Sequence, residues 1–176
     1  MKGIIYTELL GFLDEKGGPG FTEQVLSAAD LPHGGAFSRV SRYPWEQAVQ
    51  VVTSASRISG ADANELCTEF GRFLFARFTV LYTDIVERYP TAEGMLGHVE
   101  SHIHEEVKIL YPDAVPPTVS SHREGDGFVV EYRSHRPFAY IAFGLVQGCM
   151  AHFGDTRQIN WVDPDPSGKS AHFRIA

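Results

Sequence analysis

Pro116-Pro117, placed shortly after Pro112, divides this chain into two stretches of different periodicity. Proline fixes its own φ, has no amide hydrogen to donate and pushes the preceding residue out of the α region, so no helix runs through residues 112–117. Before these prolines, apolar residues recur at helical spacing. After them come short β-rich stretches bounded by turn formers. A chain with helices first and strands later folds as α+β rather than as alternating βαβ units.

The helical part reads as follows. Ile4, Ile5, Leu9, Phe12 and Leu13 mark a first helix that stops at Gly17-Gly18-Pro19-Gly20, and a second covers residues 22–29. Pro44 opens a third, with Ala48, Val51, Val52 and Ala55 as its buried stripe and Gly60 as its end. Residues 62–64 cap a long helix through Leu66, Phe70, Leu74, Phe75, Phe78 and Leu81, whose load of phenylalanine implies burial on more than one side. Pro90-Thr91 starts a last one through Met95, Leu96, Val99, Ile103, Val107 and Leu110.

Beyond the prolines, residues 118–121 and 127–133 form a predicted hairpin around Arg123-Glu124-Gly125-Asp126. Residues 138–152 return to helical spacing. Residues 158–162 and 171–175 form a second hairpin. The expected layout is an antiparallel sheet with one helix inserted.

A net charge of -7 lacks the basic face that phosphate requires and excludes the ordinary nucleic-acid binders. No run of about 18 apolar residues exists to span a membrane, and the start of the chain is too polar for a secretory signal, so a cytoplasmic protein is expected. Cys67 and Cys149 form no metal pattern and read as buried thiols.

Three of the eight histidines, His98, His102 and His104, lie on the last predicted helix of the helical part. His98 and His102 share a face, as two ligands of one metal would, but no HExxH pattern accompanies them, and Glu100, Glu105 and Glu106 fit a solvated side. On a helical wheel His102 and His104 flank the stripe of Val99, Ile103 and Val107 on opposite sides, so periodicity does not choose between them. The strongest local signal is Tyr132-Arg133-Ser134-His135-Arg136 at a strand end. In an extended chain Tyr132, Ser134 and Arg136 share one side, and a phenol, a hydroxyl and a guanidinium together suit a carboxylate.

This trio resembles the Tyr-x-Ser-x-Arg signature of the H-NOX (haem-nitric oxide/oxygen binding) family, which includes the haem domain of soluble guanylate cyclase. The chain is similar to that family also at Met1-Lys2-Gly3, Phe70-Gly71, Leu110-Tyr111-Pro112, Pro117 and Gly144-Leu145. The resemblance implies that Tyr132, Ser134 and Arg136 clamp the propionates of a haem b, that Pro117 presses on the porphyrin, and that the iron ligand stands thirteen residues before that proline, which is His104. It implies an H-NOX fold with the haem between its two parts. Residues 1–176 then form a single domain, with a helical distal part at about 1–65 and a proximal part at about 66–176.

Oxygen-binding members carry a distal tyrosine five residues after the signature arginine, where this chain has Ile141. Tyr140 is next to it, but one helical step turns a side chain by about 100°. Ile5, Leu9 and Leu74 join Ile141 as the apolar pocket wall that the resemblance implies. The cysteine cluster that some bacterial relatives carry near the C-terminus has no counterpart after Cys149. The expected protein is a gas sensor and not an enzyme. Nitric oxide and carbon monoxide are its expected ligands, dioxygen is excluded, and a separate histidine kinase or cyclic-di-GMP enzyme is the expected partner. Two alternatives stand beside this reading: an oxygen binder that uses Tyr140, and a haem-free module whose trio holds some other carboxylate.

Overall fold

The computed structural model describes residues 1–176, and its first landmark is the break foreseen at the glycine run. Helix α1 (Gly3–Ala29) is interrupted at Gly18, where φ 79 and ψ 169 suit glycine and little else, and Pro19 begins the resumed helix. Helix α2 (Glu46–Ser59) ends on Gly60, whose φ of 75 turns its N–H back to the Ser56 carbonyl. Ala48, Val51 and Ala55 form its buried stripe. The chain start lies along residues 41–43: Gly3 N–H donates to Ser41 O at 2.7 Å and Tyr43 N–H to Met1 O at 3.0 Å. A Cβ on Gly3 would fall 1.8 Å from Ser38 O, so the close approach requires glycine. Tyr6, fully buried, stacks on Phe37 at 4.3 Å and anchors this corner.

Helix α3 (Ala63–Leu81) starts where Asp62 Oδ1 accepts the amides of Asn64 and Glu65 at 2.8 and 3.1 Å. The chain groups into two compact units, Met1–Phe70 and Gly71–Ala176, which divide within this helix, a little after the boundary near residue 65 expected above.

In the second unit α3 is followed by a short α4 (Thr83–Val86) that the sequence did not announce, and by α5 (Ala92–Leu96), capped by Thr91 Oγ1. The single helix expected over 90–110 is not continuous. His98 leaves helical geometry at φ -118 and ψ 13, residues Val99–Ile103 form a π turn, and α6 (His104–Leu110) follows. The π spacing is seen in Ile103 N–H donating to His98 O at 3.2 Å, five residues back.

Strands β1 (Thr118–Glu124) and β2 (Gly127–Arg133) turn at Gly125, whose φ is 59. Helix α7 (Ala139–His152) separates them from β3 (Ile159–Val162) and β4 (Ser170–Ile175). All pairs are antiparallel in the order β1-β2-β4-β3, so β2 is central, which explains why Phe128, Val129, Val130 and Tyr132 are all buried. Val146, Cys149 and Met150 of α7 join Phe128, Val130, Phe173 and Ile175 in the core. Both cysteines are free thiols, and burial pushes Cys67 and Cys149 up to about 12.

Helices α3 and α7 meet backbone to backbone. A Cβ on Gly71 would lie 2.3 Å from Ile141 O and 2.8 Å from the Gly144 Cα, and one on Gly148 would lie 2.7 Å from the Phe75 Cβ. Gly71→Ala should therefore destabilise the protein by about 1–3 kcal/mol, because two backbones must part. The check is a urea melt with Gly20→Ala as control, since a Cβ at Gly20 meets nothing within 4 Å. Equal midpoints for the two variants would contradict the close crossing.

Candidate cofactor site

His104 opens α6, and its position follows from the π turn that precedes it. Its side chain is 12% exposed, and its Nδ1 lies 3.0 Å from Glu100 Oε2. An ionised carboxylate only accepts, so Nδ1 donates and Nε2 is left with its lone pair. Burial pulls the His104 imidazole below its ordinary pKa, outweighing the pull of Glu100 in the other direction, and keeps that nitrogen unprotonated near neutrality. Burial alone would raise the Glu100 carboxyl, but the bonds from Val119 N–H and His104 hold it low.

His102 is exposed, with its Nδ1 2.9 Å from the Tyr89 hydroxyl, and His98 places its Nδ1 2.8 Å from Gly94 O. Of the three acids read as solvated, Glu105 pairs with Lys108 and Glu106 with Arg88 at the surface. The Glu100 side chain is 44% exposed as well, and it adds the bond to His104. Its i,i+4 spacing to His104 was the available signal.

Tyr132 is buried in β2, and the strand ends at Arg133, so Ser134 and Arg136 lie beyond it rather than along an extended chain. A turn brings them together instead: Ser134 Oγ accepts Arg136 N–H at 3.1 Å, and Ser134 N–H donates to Lys169 O at 2.8 Å. Burial raises the Tyr132 phenol above its ordinary value, against the hydrogen bond with Ser134 and the charge of Arg136, both of which face it. The Arg136 guanidinium also donates to Val115 O. Pro117 therefore sits in a segment held on both sides, through Val115 by Arg136 and through Val119 by Glu100.

Among the expected pocket-wall residues, Leu9 is buried and Ile5 half-buried in the first unit, while Leu74 is buried and Ile141 half-buried in the second. Tyr140 packs on Trp161 of β3, with ring centroids 4.6 Å apart.

Residues 2–161 match the Haem-NO-binding family model. The chain belongs to that family. Its members are the H-NOX domains, haem-based gas sensors rather than catalysts. Among solved structures, an H-NOX protein from K. algicida in the unliganded Fe(II) form is 25% identical, with a TM-score of 0.91 over 99% of this chain and 95% of that one. An H-NOX from Shewanella woodyi in the Fe(II)CO state is 29% identical, with a TM-score of 0.83 over 100% and 94%. An H-NOX protein from S. oneidensis in the Fe(II)NO state shares the fold at 21% identity and a TM-score of 0.89, over 100% and 98%. No curated protein matches the chain. No helix is long and apolar enough to cross a membrane.

The side chains present suit the family's cofactor. A half-buried imidazole with one nitrogen tied to a carboxylate is the arrangement of a metal-ligating histidine, and two hydroxyls beside a guanidinium suit propionates.

Proposed function

We propose that residues 1–176 form one haem-binding domain that senses nitric oxide and carbon monoxide, with His104 as iron ligand and Tyr132, Ser134 and Arg136 as propionate clamp. The observation that carries this is the state of His104: half-buried, Nδ1 engaged by Glu100, Nε2 bare. His102, exposed and bonded to Tyr89, lacks that setting. When bound, a ferrous haem held by His104 would supply an iron able to take up a diatomic gas. Pro117 has the role of the residue pressing on the macrocycle, in a segment that Arg136 and Glu100 keep from retreating.

Ile5, Leu9, Leu74 and Ile141 offer no hydrogen-bond donor on the distal side, and the contact of Tyr140 with Trp161 supports its absence from that pocket. The apolar wall favours ligands that need no donor over dioxygen. A histidine kinase or a cyclic-di-GMP enzyme is the partner class that the family resemblance suggests as reader of the gas-bound state.

The deciding experiment is the absorption spectrum of purified protein supplied with haem. A Soret band that shifts with nitric oxide and with carbon monoxide is expected, and a protein that takes up no haem would favour a module whose trio holds another carboxylate. Within the clamp, Arg136→Ala should release haem faster than Ser134→Ala, since a charge-assisted bond is about twice as strong as a neutral one. Haem transfer to an apo-globin acceptor measures both rates. Equal rates for wild type and Arg136→Ala would remove the trio from its role.

A further inference from the structure

Glu100, whose side chain is 44% exposed as a solvated acid's would be, is also a junction. A single carboxylate oxygen, Oε2, accepts from His104 Nδ1 at 3.0 Å and from Val119 N–H at 3.0 Å. Val119 belongs to β1 and stands directly opposite Tyr132 in the pairing with β2. Two hydrogen bonds therefore run from the imidazole through Glu100 to Val119, the β1 residue paired with Tyr132.

We infer that Glu100 is a positioning residue: it fixes the tautomer and ring angle of His104 and ties that ring, through Val119, to the strand pair that carries the clamp. The inference rests on His104 being the iron ligand. Its physical content is that a carboxylate behind a ligating imidazole makes the ring a stronger donor to the metal, while the second bond stops the ring from turning independently of β1. Glu100 and His104 lie four residues apart on one side of the chain, and the π turn that carries Glu100 packs against β1.

Two variants separate position from charge. Glu100→Gln retains an oxygen that can accept both bonds but removes the charge, whereas Glu100→Ala removes both. On haem-loaded protein, the iron–histidine stretching band in the resonance Raman spectrum should fall in frequency for both variants. The exchange rate of the Val119 amide, read by NMR, should rise only for Glu100→Ala. Haem loss from Glu100→Ala should be faster by roughly 10–100-fold, the usual effect of removing such a partner. A purely structural role would speed the exchange without moving the Raman band in Glu100→Gln. His104→Gly is the control: if it keeps the band, the assignment of the ligand falls, and this inference with it. If the band depends on His104 but neither Glu100 variant shifts it, the ligand stands and the role of Glu100 is overturned.

Discussion

His104→Gly is expected to give a folded protein whose haem iron is no longer anchored to the chain until imidazole is added to take the place of the missing side chain. The fold should survive because no residue of α6 is buried, so truncation there opens no core cavity. Glu100, 44% exposed, can replace its lost partner with water. The far-UV circular dichroism should match wild type, while the five-coordinate ferrous spectrum should vanish and return with imidazole. His102→Gly should do neither, since that exposed ring is engaged by the Tyr89 hydroxyl and lies beside His98. Loss of the five-coordinate spectrum from the His102 variant, with its retention in the His104 variant, would reverse the assignment.

The second large effect concerns dioxygen. In air the ferrous protein is expected to keep its unliganded spectrum until it oxidises, although it responds to nitric oxide and carbon monoxide. Dioxygen takes partial negative charge when it binds, and a hydrogen bond to a charged group away from water contributes about 1.5–3 kcal/mol. If Leu9, Leu74 and Ile141 line the distal pocket as proposed, the missing donor costs about one to two powers of ten in affinity. Ile141→Tyr should recover that amount, measured by laser photolysis and rebinding in oxygenated buffer. Tyr140→Phe should change nothing, because the ring of Tyr140 rests on Trp161. A lasting spectral change of the wild type in air that disappears in Tyr140→Phe would make the protein an oxygen binder.

The helices-then-sheet order was legible because it is written in residues with strong local effects. Gly18, Gly60 and Gly125 adopt positive φ at the breaks and turns expected there, Asp62 caps α3 as read, and Thr91 caps α5 where a helix start was expected. The trio of Tyr132, Ser134 and Arg136 stood out by residue type. Strand alternation suggested that Tyr132, Ser134 and Arg136 converge, but it is a turn after Arg133 that brings them together. The π turn left no mark in the sequence, since no residue type announces one, and helical-wheel reasoning across Val99–Ile103 used a period that this stretch does not have. The junction at Glu100 was missed for a related reason: its side chain is exposed like those of Glu105 and Glu106, and its bonds to His104 and to the distant Val119 distinguish it.

The π turn also makes chain length a determinant of contact. One more residue is stored between His98 and His104 than an α-helix would place there, within the turn whose Glu100 meets β1 at Val119. Deleting one residue between Glu100 and His104 would close the π turn to ordinary α spacing and shorten the interval between these two side chains from four residues to three. The imidazole would then have to meet Glu100 across a different step while the carboxylate is still held by Val119 N–H. A homologous chain one residue shorter here would share almost every side chain with this one and hold its histidine by a different contact.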